Sequence, residues 1–274
     1  MDRKSQSGAE LLFENFYIES NMEYFVQEFS FPSWWASVVA KYPPGLIEFG
    51  ARSMIEILGY ALAGLYPYLV TSNEQKRSAI RKCVPLVVTN VVLGTVYYAA
   101  VLRLYSWYHG CGIWERSFTK VTADLPSVWE VVVQLIQGNL IFDVMFYCAH
   151  CLLHTPLMYR YVHWKHHSFD PPIALAVAYV HPVEYLLIVT GVLVLAMVVQ
   201  GAHVLTTTAW GLYVMFVTTW LHTSSDIPWL ANHEGHHLRY NKNLGAVGVV
   251  DWILGTSISA REVDRIGRRN IKSD

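Results

Sequence analysis

The sequence predicts an all-α, multi-span membrane protein, and three observations predict it. Of 274 residues, 53% are hydrophobic and only 15% charged, with a mean hydropathy of +0.28. Several uncharged runs are long enough to cross a bilayer. Ten of the twelve histidines lie around one such run, eight of them at helical spacings. A formal charge of -1, with no Arg-rich stripe interleaved with aromatics, excludes nucleic acid as a partner. Four cysteines, Cys83, Cys111, Cys148 and Cys151, are too few for a secreted disulfide framework, and CAHC lacks the surroundings of a redox motif.

The first twenty residues, MDRKSQSGAELLFENFYIES, lack the apolar core of a secretory signal, so anchoring is expected from internal segments. Ile57 to Asn73 is uncharged and carries Pro67 and several tyrosines, a span with an interfacial end. Cys83 to Leu102 gives twenty residues without a charge, preceded by Arg81 and Lys82. Trp129 to Leu153 is apolar but contains Glu130 and Asp143, which leaves open whether it spans the membrane or lies against it. Tyr185 to Leu221 is uncharged for 37 residues, about 55 Å as one helix, so it must fold back, and QGAH at 200–203 is the expected reversal. Its two flanks then share one membrane face. The Lys/Arg-rich loop TSNEQKRSAIRKC and tail REVDRIGRRNIK both favour the cytoplasmic face.

The histidines follow from this topology. His150 and His154 are four apart, and HxxHH occurs twice, as His163, His166, His167 and as His233, His236, His237. Such spacings place side chains on one helix face, so each cluster is expected to converge on one point. His181 and His222 flank the hairpin, whereas His109 and His203 lie outside the pattern. Imidazole is the commonest ligand for iron, zinc and copper, and ten of them supply about five ligands to each of two metals. Asp143, seven residues before His150, and Glu184, three after His181, are the candidates to orient a ligand's second ring nitrogen. Two other readings use the same residues. HEGHH also reads as HExxH, a zinc protease motif with Glu234 as general base, which leaves most of the histidines without a purpose. Alternatively, the cluster stores metal or supports a lipid-binding scaffold without catalysis.

HCLLH, HWKHH, YVHPVE, LHTSSD and HEGHH, in that order around a membrane hairpin, resemble the fatty acid hydroxylase and sterol desaturase superfamily over residues 130–256. Within it, HHLRYNKNLGAVGVVDWILGT is similar to methylsterol oxidases and related proteins that carry a fatty acid hydroxylase domain. The chain departs from that pattern at LHTSSD, where Gly-Tyr usually follows, and in the short connection WLANHEGHH. The resemblance implies a membrane helical stem with a cytosolic helical cap holding a histidine-rich di-metal site. It further implies two iron ions, O2, and residence in the endoplasmic reticulum membrane with the site facing the cytosol. Electrons would come from a donor such as cytochrome b5 and its reductase, since the chain has no GxGxxG between strand and helix and no haem-attachment motif. The implied substrate is a lipid or sterol, oxidised most simply at a C-4 methyl group, with sterol desaturation or fatty-acyl hydroxylation as alternatives. Three regions are expected: 1–128 with membrane helices, 129–256 as the catalytic region with the hairpin at 185–221, and 257–274 as a basic tail.

Overall fold

A computed structural model describes residues 30–168, 173–222, 233–259 and 262. Of the described residues, 30–43 with 122–125 form a small unit, and the others a large one. In the small unit, α1 (Phe31–Lys41) starts at Ser30, whose side chain accepts from Ser33 N, with Pro32 in the first turn where its missing N–H costs nothing. Trp35 is buried and donates its indole N–H to Thr122 O at 2.8 Å.

Regular structure in the described part of the large unit is helical, apart from one isolated bridge between Lys120 and His203. Five helices are long and apolar enough to cross a membrane: α2 (Pro44–Val70), α3 (Glu74–Tyr108), α4 (Val128–Leu153), α5 (Pro182–Gln200) and α6 (Val204–Leu221). Their outward faces expose large apolar side chains such as Leu62, Leu65, Val88, Val92 and Val96, which water would penalise and lipid accepts. Two short helices follow, α7 (His233–Leu238) and α8 (Val249–Leu254).

Local chemistry sets the helix ends. Asn73 caps α3 by accepting from Gln75 N and Lys76 N. Ser127 and Glu130 form a reciprocal capping box at the start of α4. The hairpin reverses at 200–203 as the sequence predicts, with Gly201 at φ +58°, a left-handed conformation that glycine adopts without strain. The expected span at Ile57 to Asn73 lies in a longer helix that begins at Pro44 and stops at Val70, three residues short of Asn73. It continues through Glu48, Arg52 and Glu56 because these charges are paired inside the protein. Arg52 Nη1 donates to Glu56 Oε2 at 2.9 Å, and Glu48 accepts from Tyr98 OH and from the backbone of Thr119.

Interhelical contacts fix the register. Gly59 lies against Met215 and Gly211 against Ile55, so α2 and α6 run parallel. Gly138 admits Gln200 and Trp210 where α4 meets the hairpin, and fully buried Trp210 meets Phe142 edge-on at 5.7 Å. Small residues at crossings are the expected device where lipid gives helices no hydrophobic reason to associate. The helices alternate in direction, which brings the ends of α2, α4 and α6 to the same end of the bundle as the starts of α3 and α5. From the middle of α3, Asn90 Nδ2 donates to Ala178 O and Val180 O at 3.0 Å, anchoring the end of the buried turn Ala174–Ala178.

Candidate metal centre

Eight of the ten predicted histidines meet at this end of the bundle in two adjacent clusters. His150, His154, His163, His167 and His236 form one, and His166, His222 and His237 form the other, with the ligating atoms of each within 4.8 Å of one another. α4 delivers His150 and His154 one turn apart at its C-terminus. Residues 156–167 then form a short irregular helix with a wide turn at Tyr159–His163, closed by Trp164 N–H to Tyr159 O. Such turns recur at functional sites because they rotate the side chains that follow.

The expectation that each HxxHH converges on one point is not what the fold does. His163 and His167 enter the larger cluster and His166 the smaller; likewise His236 enters the larger and His237 the smaller. Adjacent residues on a helix point about 100° apart, so each HH pair addresses two sites at once. The two clusters are thereby held side by side, with the His167 and His237 rings 4.5 Å apart.

Hydrogen bonding fixes the tautomers. His150 Nδ1 faces Leu244 O at 2.7 Å, His236 Nδ1 faces Lys242 O at 2.8 Å, and His222 Nδ1 faces Thr218 O at 2.7 Å. A carbonyl only accepts, so each Nδ1 is a donor and each neutral ring presents an unprotonated Nε2. His163 Nδ1 likewise donates to Glu184 Oε1 at 2.8 Å. Yet Nε2 of His163 lies 3.2 Å from that of His150, 3.1 Å from that of His154 and 3.1 Å from that of His167. Nε2 of His154 lies 3.0 Å from that of His236. Lone pairs converging at such spacing repel unless a cation lies between them. Ligands about 2.1 Å from a metal and at right angles would be about 3.0 Å apart, so the donor set fits a hexacoordinate ion with five imidazoles.

Burial, reinforced by neighbouring imidazoles, keeps these rings neutral. It lowers the pKa of His154 and His237 to about 4 and that of His163 to about 2. His222 is brought to about 4 by burial, partly offset by its bond to Thr218 O. His166, His167 and His236 are also held well below the usual histidine range. A neutral ring is the form that binds metal.

Three predicted residues behave differently. His181 joins neither cluster: its Nδ1 accepts from Val183 N at 3.2 Å, because it caps the start of α5. The side chain of His233 lies outside the described part. Asp143 accepts not from an imidazole but from Val247 N, Gly248 N and Val250 N, at 2.7, 3.2 and 2.9 Å. Its carboxylate faces the loop before α8 because that loop's backbone donors have no helix or sheet to pair with.

A residue outside the predicted set completes this support. Asp251 accepts from Leu244 N at 2.9 Å, Gly245 N at 2.6 Å and Thr256 Oγ1 at 2.6 Å. The two aspartates therefore clamp the loop whose Leu244 carbonyl orients His150. Gly245 sits between them, where a Cβ would come within 2.7 Å of Asp143 Oδ1 and 2.9 Å of Asp251 Oδ2. One signal for Asp251 was in the sequence: it is the single acid between Lys242 and Arg261.

An apolar cavity of about 150 Å³ opens from the clusters into the bundle. His150, His163, His166, His222 and Glu184 line one end, and Phe142, Trp210 and Met215 line its walls. The arrangement joins two sites suited to metals with a chamber suited to a hydrocarbon.

Residues 135–256 match the family model described as fatty acid hydroxylase. The chain is 30% identical over 181 residues to fatty acid hydroxylase ahd1 of Mycosarcoma maydis, covering 65% of this chain and 45% of that protein. It is 33% identical over 141 residues to fatty acid hydroxylase domain-containing protein 2 of Homo sapiens, covering 48% and 41%. Methylsterol monooxygenase 1 of Rattus norvegicus is 24% identical over 197 residues, covering 66% and 62%. The matches thus span less than half the length of the first two relatives. No solved structure matches. Residues 135–256, which contain every clustered histidine, are the part of the chain that is similar to the fatty acid hydroxylase family.

Proposed function

We propose that this protein is an O2-dependent non-haem di-iron monooxygenase of lipid metabolism that oxidises the C-4 methyl group of a sterol. The observation that carries the reading is the pair of histidine clusters at one end of an apolar cavity. An unactivated C–H bond gives an acid, base or nucleophile nothing to act on, and iron bound to the histidines supplies the redox chemistry with O2 that it requires. In hydroxylation, one C–H bond and O2 become C–OH and water, consuming two electrons and two protons from outside. The neutral imidazoles hold the metals, Glu184 and the carbonyls of Leu244, Lys242 and Thr218 hold the imidazoles, and the cavity walls exclude water.

The sterol assignment draws on the methylsterol monooxygenases among the relatives, 24% identical in Rattus norvegicus and 43% identical over 63 residues in Arabidopsis thaliana. Similarity to ahd1, named a fatty acid hydroxylase, favours fatty-acyl hydroxylation as the second reading. The domain works in the endoplasmic reticulum membrane with its histidine end toward the cytosol, where cytochrome b5 and its reductase supply electrons. The basic segment at the start of α3, with Lys76, Arg77, Arg81 and Lys82, lies at that same end of the bundle and supports this orientation. His233 and His181 complete the proposed ligand set, His181 only by giving up its capping role.

Lipid profiling of a deletion strain tests the assignment. Accumulated 4-methylsterols are the expected result, whereas a shifted ring double bond or a loss of hydroxyacyl lipids would replace it with desaturation or acyl hydroxylation.

A further inference from the structure

Glu184 divides its two carboxyl oxygens between different tasks, and only one task is filled. Oε1 receives His163 Nδ1 at 2.8 Å. Oε2 is buried and makes no hydrogen bond among the described residues. The residue is 4% exposed and lines the cavity beside His163 and His166. A buried polar atom without a partner is uncommon in native proteins, because leaving it so forfeits hydrogen bonds it would make in water. Glu184 stands where the apolar chamber meets the metal ligands.

We infer that Glu184 Oε2 binds the hydroxyl group of a neutral lipid alcohol and so places a carbon close to that hydroxyl at the metal centre. The inference rests on the oxygenase reading and narrows its substrate. A hydroxyl is both donor and acceptor, so it pairs with the carboxyl group as it stands. A free fatty acid would bring its own charge into an apolar chamber, and an ester or ether has no hydrogen to donate. Position carries the regiochemistry. Oε1 of the same carboxyl group touches His163 across one imidazole ring from its ligating Nε2. A hydroxyl on Oε2 is therefore separated from the metals by one imidazole ring together with the 2.8 Å hydrogen bond on one side of it and a metal–nitrogen bond on the other, which leaves room for a carbon a few bonds from that hydroxyl. This is the relation between the 3-hydroxyl and the 4-methyl carbons of a sterol, and not that between a carboxyl group and the middle of a long acyl chain.

The test is equilibrium binding of a radiolabelled 4,4-dimethylsterol and its 3-methyl ether to iron-loaded protein in detergent, with metal content measured alongside. Wild type should bind the alcohol about 10- to 100-fold more tightly than the ether, the scale of one buried hydrogen bond left unmade. Glu184→Gln keeps a carbonyl for His163 but loses the acceptor at Oε2, so it should retain its metals and discriminate less than about 3-fold. Glu184→Asp is the second variant: one methylene shorter, it cannot hold His163 and reach the hydroxyl together, and it should also lose discrimination. Equal binding of alcohol and ether by wild type would overturn the inference, as would full discrimination by either metal-loaded variant. Tight binding of a free fatty acid with no binding of either sterol would instead remove the sterol reading on which the inference stands.

Discussion

His150 and His163 face each other Nε2 to Nε2 at 3.2 Å, and neither nitrogen has a proton to share, because each ring donates through Nδ1. Together with the smaller cluster, this predicts about two metal ions per chain in protein purified anaerobically with iron. His163→Ala should lose the ion of the larger cluster and His222→Ala that of the smaller, each leaving about one. A total near one in wild type, reproduced with iron and zinc supplementation, would rule out two sites. Chelation should also lower the melting temperature, since metal binds the folded state.

Asp251 touches no imidazole, yet its substitution should weaken metal binding. Asp251→Asn leaves one oxygen to serve the two backbone N–H groups of Leu244 and Gly245 and the Thr256 hydroxyl. The Leu244 carbonyl then loses its fixed position under His150. Metal affinity of the larger cluster should fall about 10- to 100-fold, with the smaller cluster little changed. Competitive chelator titration measures both, and equal weakening of the two would show general unfolding instead.

Acid should destabilise the metal-free protein at a pH set by its histidines. His154, His222 and His237 titrate at about 4 when folded, against 6.5 for an ordinary histidine. Between those values the unfolded chain binds more protons, so stability rises with pH across this window and levels off above it. The melting temperature of metal-free protein should therefore fall from pH 7 to pH 5. A flat profile would mean that the rings are not held neutral.

The two readings of HEGHH separate in a pair of variants. A zinc protease would require Glu234 as its base and tolerate change at His236. In the fold, His236 is fully buried in the larger cluster, with Nε2 3.0 Å from that of His154. His236→Ala should abolish turnover and lower metal content, whereas Glu234→Gln should retain its metals and lose at most about 100-fold in activity. The opposite pattern would restore the protease.

The histidine spacing was legible because it is local: periodicity alone puts residues four apart on one face. The hairpin was legible for a similar reason, since length and lack of charge force a reversal. What the sequence concealed depends on partners distant in the chain. Asp143 has the right spacing to serve His150, but its actual partners are backbone N–H groups about a hundred residues away, which any residue type supplies. His181 could be a ligand or a helix cap by pattern, and Pro182 after it favoured the cap. The start of α2 was hidden by Glu48, Arg52 and Glu56, charges that argue against a span until Tyr98 and Thr119 are seen to meet Glu48.

Those three charges bear on how the chain enters a membrane. A single charge at the centre of a helix costs about 2.5 to 3.5 kcal/mol on insertion scales. The groups that satisfy α2 are made after it: Tyr98 on α3, Thr119 in the following loop, and Tyr185, whose OH donates to Glu56 Oε1 at 2.6 Å. When α2 first leaves the ribosome it is therefore a poor candidate for release into lipid by itself. Its integration must wait for α3, so a nascent chain ending before α3 should leave α2 accessible to water, while one that includes both should carry them into the bilayer as a pair.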